Sequence, residues 1–212
     1  MTRKMPTTER GGKPSSLRYY QDGPPQSVDI GAWRLTVGGL GLRETTLTYE
    51  DIRSLPRVRE NRRYVCVCNW SYRQNWGGTL LREVLKAADW DGEVGTRYLK
   101  QTSIGTAEKG TYQSTIPLGP ALERRCLIID EIDDAPLPME RGFPLRLMDF
   151  GLYGYKSVKG LAGIEITKDF ELGEWERRAG YALDGEIQPK RYRLSDLRCH
   201  HFISSGGEMI DI

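Results

Sequence analysis

An α+β fold, with mixed β-sheets and short helices, is what this 212-residue sequence predicts. Three observations carry that expectation. Strand-like segments of mixed origin recur along the chain, the stretches with helical spacing between them are few and short, and the length suits one sizeable core.

Taken in order, residues 1–16 are rich in Thr, Ser, Gly, Pro and charge, with too little apolar surface to offset ordering entropy, and read as a flexible basic arm. "WRLTV" alternates as a half-buried strand should, and "GGLG" turns the chain. In "LTYEDIRSLP" Thr48 and Asp51 stand at N-cap and N3 of a helix, Leu47 and Ile52 are placed for a hydrophobic staple, and Pro56 stops it. "RYVCV" reads as a strand. Thr79 then reads as the cap of a helix carrying Leu81, Val84, Leu85 and Ala88 at helical spacing. On this reading Tyr64 to Gly78, "YVCVCNWSYRQNWGG", is a strand-to-helix connection. "TRYLKQTS" follows as a strand, "KGTYQSTIPLGPAL" as turn, strand and short helix, and "CLIIDEI", "GFPLRLMDF" and "GLAGIEITKDF" as strands. The main domain spans 17–192, and 193–212 is a tail of unknown role.

Composition narrows the function. With 31 basic and 29 acidic residues neither sign dominates, so bulk charge points to no nucleic-acid partner. No run approaches the ~18 apolar residues of a membrane span, and the start lacks the roughly 7–15-residue apolar core of a secretory signal; a cytoplasmic location is expected. Cys66, Cys68, Cys126 and Cys199 are too few for a disulfide framework, and none forms a C-x-x-C pair.

Several side chains carry chemistry. Cys66 and Cys68, two apart, share one side if the strand persists; they are then soft ligands for a metal walled by Trp70 and Trp76, or simply small buried hydrophobes. Lys156, Ser157 and Lys159 in "YGYKSVKG" are a solvated basic surface or donors to an anion. Arg146, inside an apolar strand, needs a partner: an anionic ligand, or a carboxylate such as Asp149 or Glu165. His200 and His201, beside Cys199, point to opposite faces of any strand. They form a surface pair, or one of them supplies a proton if the tail folds over the site. A Cys66, Cys68, Cys199 and His200 or His201 zinc site ranks last, because its spacing is unusual.

"CVCNWSYRQNWGGTLLREVL" resembles the molybdenum-cofactor oxidoreductases of the sulfite oxidase fold, above all the protein-methionine-sulfoxide reductase catalytic subunit branch. The likeness continues through "GPPQSVDIGAWRLTVGGL", "GTYQSTIPL", "APLPMERGFPLRL", "YGYKSVKG" and "GEWERRAGYALDGEIQPKRY", covering roughly 17–192. It implies a sulfite-oxidase-type molybdopterin-binding domain with Cys66 as the protein thiolate on molybdenum. It also implies pterin or phosphate contacts from Thr102, Arg141, Arg146, Lys156, Ser157, Val158 and Lys159. Tyr20, Gln21 and Asp22 stand where sulfite oxidases carry an Arg-Asn-His run that contacts substrate and cofactor. Arg141 replaces a usual His or Asn, Cys68 a usual Glu, and Gly160 the Trp of sulfite oxidases.

The resemblance therefore implies oxygen-atom transfer by molybdenum-molybdopterin, with a small S-oxide or N-oxide as substrate and with Cys66, Tyr20 and Cys68 at the reacting centre. A drifted, non-catalytic cofactor-binding domain is the alternative. No haem, dinucleotide or iron–sulfur motif is present in the sequence, so a separate electron-transfer protein is expected.

Overall fold

The computed structural model describes residues 27–105 and 110–210. The arm at 1–16, together with Tyr20, Gln21 and Asp22, lies outside them.

The elements run β1 (Leu35–Gly39), β2 (Thr45–Leu47), α1 (Tyr49–Ser54), β3 (Arg57–Cys66), β4 (Trp70–Leu80), α2 (Leu81–Ala87), β5 (Tyr98–Ser103), β6 (Gln113–Pro117), α3 (Leu118–Glu123), β7 (Leu127–Ile132), β8 (Ala135–Pro136), β9 (Arg146–Met148), β10 (Leu161–Thr167), α4 (Glu174–Ala179), β11 (Lys190–Leu194) and β12 (Cys199–Ile203). They form two mixed sheets. One has the order β2-β1-β10-β5-β6, with β1 and β10 parallel. The other runs β12-β11-β4-β7-β8, with β3 on β4 and β9 on β7.

Local sequence explains α1 well. Thr48 Oγ1 accepts from the Asp51 N–H at 3.1 Å while the Asp51 carboxylate accepts from the Thr48 N–H at 2.8 Å, a reciprocal cap that contributes about 1 kcal/mol. Leu47 and Ile52 are both buried in the main core.

Around Cys66 the expectation changes. The chain does not loop from strand to helix; it turns at 67–69 and runs back as β4, paired with β3 from Cys66↔Trp70 to Arg57↔Thr79. Thr79 is therefore a buried strand residue and does not cap α2, which begins after Leu80 with no side-chain cap. The Gly77-Gly78 pair, which in sequence reads as a turn, lies within β4. The register slips there against β7, and a Cβ on Gly78 would lie 2.1 Å from the Ile128 carbonyl oxygen, so only glycine allows the strands to close.

One edge of β4 carries β3 along its length. The other carries β11 at Trp70 and Ser71 and β7 from Trp76 to Leu80. The segment beyond 192 is thus woven into this sheet through β11 and β12.

Candidate active site

Cys66 is the last residue of β3, held in place by a tight turn. The Asn69 N–H donates to the Cys66 carbonyl at 3.1 Å, and Asn69 takes φ 67° to close the turn. The Cys68 N–H approaches the Cys66 sulfur at 3.5 Å, which gives that sulfur one fixed donor. Because the strand ends at Cys66, the two cysteines do not share a face: Cys66 is buried and Cys68 is exposed.

Residues directly opposite in an antiparallel pair share a face, so Tyr64, Cys66, Trp70, Tyr72 and Trp76 all point one way. Trp70 stacks on Tyr72 (5.5 Å, 11° between planes), Tyr64 lies 5.3 Å from Tyr72, and Trp76 is fully buried behind them. Trp70 and Trp76 thus belong to the wall expected of them, and Tyr64 and Tyr72 complete it.

Three cations converge on this wall. Arg146, at the start of β9, places its guanidinium carbon 4.9 Å from the Tyr64 ring, and its Nε donates to Ser157 Oγ at 2.8 Å. Arg141 lies over Tyr72 and donates to its hydroxyl at 2.9 Å. Lys159 bridges to Arg146 through the backbone, and its Nζ donates to the Glu140 carbonyl at 3.0 Å. Gly142, with φ 117°, lets the chain pass against Lys159: a Cβ there would sit 3.0 Å from Lys159 Cβ.

Neither carboxylate suggested for Arg146 reaches it. Asp149 is held by Arg124 at 2.7–3.0 Å, and Glu165 is exposed beside Lys100. Among the described residues no ion pair forms at Arg141 or Arg146, and Arg146 Nη2 is buried without a hydrogen-bond partner. Electrostatics register the crowding. Burial, then Arg146 and Arg141, push the Lys159 ammonium down to about 6, against weaker opposition from Glu140 and Cys66. Burial raises the Tyr64 and Tyr72 phenols, with Arg146 pulling back.

An open buried guanidinium N–H, a second guanidinium and the protonatable Lys159 amine beside a buried thiol fit a cofactor that ends in a phosphate and accepts one protein thiolate.

The loop that presents these groups is pinned from β5. Gln101 Nε2 donates to the Lys156 carbonyl at 2.9 Å, and its Oε1 accepts from the Val158 N–H at 3.2 Å. Sequence reasoning missed Gln101, although a polar residue at a buried strand position was the available sign. Its neighbour Thr102 lies half-buried between Gly163 and Gln113.

Lys156 turns away from the cluster. It is buried in an ion pair with Glu176 of α4 and donates to the Thr115 carbonyl at 3.2 Å, so the expected phosphate contact is spent elsewhere. Tyr181 was also missed. It follows α4, stacks on Trp175 (5.7 Å, 17°), and has its phenol pushed up to about 12 by burial and then by negative charge on Cys68 and Cys66.

Cys199 and His200 are exposed on β12, far in burial from Cys66. Among the described residues no three His, Cys, Asp or Glu side chains gather to hold a metal, which sets aside the zinc arrangement.

Two mixed sheets with short helices are the architecture of the sulfite-oxidase-type molybdenum enzymes. The sulfane dehydrogenase SoxCD of Paracoccus pantotrophus superposes with a TM-score of 0.62 at 18% identity, over 74% of this chain and 43% of that one. The sequence matches the family described as oxidoreductase molybdopterin binding domain over residues 22–175, and the chain belongs to that family. It is a molybdopterin-dependent oxidoreductase, near the methionine-sulfoxide reductase branch. Relatives include the uncharacterised oxidoreductase YuiH of Bacillus subtilis, 32% identical over 88% of this chain and 85% of its own. The protein-methionine-sulfoxide reductase catalytic subunit MsrP of Campylobacter jejuni is 26% identical over 73% of this chain, which spans 55% of that subunit. Among the described residues no helix is long and apolar enough to cross a membrane.

Proposed function

We propose that this chain reduces a small S-oxide or N-oxide by oxygen-atom transfer, with Cys66 as the single protein thiolate on molybdenum. The supporting observation is the cationic nest beside Cys66, whose Arg146 keeps an open buried N–H. Arg141, Arg146 and Lys159, steadied by Ser157 and the Val158 backbone, hold the cofactor's phosphate. Tyr64, Trp70 and Tyr72 exclude water. When bound, the cofactor supplies two-electron redox chemistry.

The net reaction, R₂SO + 2e⁻ + 2H⁺ → R₂S + H₂O, needs protons at the departing oxygen. Tyr181, protonated across the neutral range and sensitive to the charge of Cys68 and Cys66, is the phenol suited to supply one. The aromatic wall favours a neutral sulfur substrate, since sulfur and aromatic edges attract. A sulfite anion would want arginine forks, whereas Tyr20, Gln21 and Asp22 replace the Arg-Asn-His run. The likeness to a methionine-sulfoxide reductase subunit points the same way.

The test is turnover by cofactor-loaded protein with reduced viologen and methionine sulfoxide, dimethyl sulfoxide or trimethylamine N-oxide, against sulfite with ferricyanide. Oxide reduction should dominate. Cys66→Ser should abolish it with the fold intact, while Cys68→Ser, at an exposed position, should keep most of it. Faster sulfite oxidation, or equal loss in both variants, would overturn the assignment.

A further inference from the structure

About half of the described Lys and Arg side chains form ion pairs. Arg57 and Arg59 of β3 meet Asp130, Glu131 and Asp134; Arg62 and Arg73 meet Glu208; Arg125 meets Glu60. The β11–β12 hairpin gathers several that form none. Lys190, Arg191, Arg193 and Arg198 are all exposed, and none forms an ion pair among the described residues. The one acid of the hairpin, Asp196, is consumed by the buried Arg63, which donates to both its oxygens at 2.8 Å.

This uncompensated charge lies over the active site. Arg193 pairs with Trp70, the residue opposite Cys66, and its N–H donates to the Asn69 carbonyl at 3.1 Å. Two strand spacings therefore separate the Arg193 and Cys66 backbones, on the order of 10 Å. On the outward face Arg191 and Arg193 stand opposite Phe202 and His200. The hairpin lies beyond the family match, which ends at residue 175.

We propose that the β11–β12 hairpin is the docking surface for an acidic electron-transfer protein, which delivers there the two electrons that each oxide reduction consumes. The proposal rests on the reaction assigned above. Positive charge set around one spot beside the redox centre raises the encounter rate with a partner of opposite sign and orients it.

The experiment compares the wild type with Arg191→Glu/Arg193→Glu/Arg198→Glu. A control of equal net charge, Arg43→Glu/Arg82→Glu/Lys86→Glu, alters exposed cations outside the hairpin. Cofactor-loaded proteins are titrated with an acidic [2Fe–2S] ferredoxin and an acidic b-type cytochrome at low and high salt, and each is assayed with reduced viologen. The hairpin variant should bind the acidic proteins about tenfold or more weakly at low salt, with a flattened salt dependence and unchanged viologen turnover, and the control should bind like the wild type. Equal weakening in both variants would overturn the proposal. So would acidic proteins that bind the wild type no better than the hairpin variant, or hairpin-dependent binding confined to anionic vesicles or duplex DNA. Viologen turnover tests the reaction and the titration tests docking, so failure of one is distinguishable from failure of the other.

Discussion

Beside Arg146 and Arg141 and withdrawn from water, the Lys159 ammonium loses hydration that its bond to the Glu140 carbonyl offsets only in part, and its pKa falls to about 6. In the unfolded chain it returns to ~10.4. Between those values the unfolded chain binds the proton and the folded one has shed it, so the Lys159 contribution to cofactor-free stability rises with pH across that window and is flat below it. Urea titrations at pH 6.5 and 9 should show the wild type gaining on Lys159→Met as pH rises. A constant difference would mean that Lys159 stays charged in the folded protein. A bound phosphate reverses the logic, and loading the cofactor at pH 8 should take up protons. In the sequence Arg146 reads as a buried cation in need of a partner, with an anionic ligand and a carboxylate both open. The structure removes the carboxylates by committing Asp149 to Arg124. Tyr181 stayed hidden because its meaning depends on two thiols more than a hundred positions away.

At the scale of elements, the Lys156–Glu176 pair ties the cofactor loop to α4 and so to Tyr181. Both partners are buried, and glycines make room for them: a Cβ on Gly185 would lie 2.5 Å from Lys156 Cγ, and one on Gly173 2.5 Å from Glu176 Oε2. Breaking such a pair strands a charge, so Glu176→Leu should cost about 3–5 kcal/mol in denaturant unfolding, whereas Lys156→Met/Glu176→Leu should recover most of it. No recovery would show that the glutamate acts through something other than Lys156. Elements with local signatures were legible in the sequence, α1 above all, because its cap is written within four residues. The strand β4 was not, because Gly77-Gly78 has the look of a turn. The period-two series Trp70, Tyr72, Gln74, Trp76 was the truer signal, and the tight pairing with β7 that requires Gly78 is a long-range fact.

For the whole molecule, the unbalanced nest means that the cofactor-free protein carries a penalty that an anion relieves. A ligand that binds only the folded state adds about 2.7 kcal/mol at a hundredfold excess over its dissociation constant. Inorganic pyrophosphate should therefore raise the melting temperature of cofactor-free protein, and should fail to do so in Arg146→Met. An equal rise in that variant would place the anion elsewhere.

The two-edged pairing of β4 has a further meaning for how the molecule opens. Its residues from Trp76 to Thr79 are paired with β3 on one side and β7 on the other, so no fraying from an edge can release them. In deuterated solvent these amides should be among the last to exchange, at rates set by global unfolding. The turn that presents Cys66 grows from the far end of this ladder, where β11 alone guards the outer edge. The thiol is thus mounted on a slow-breathing rod with a faster-breathing tip, and the tip can admit the cofactor while the rod stays closed.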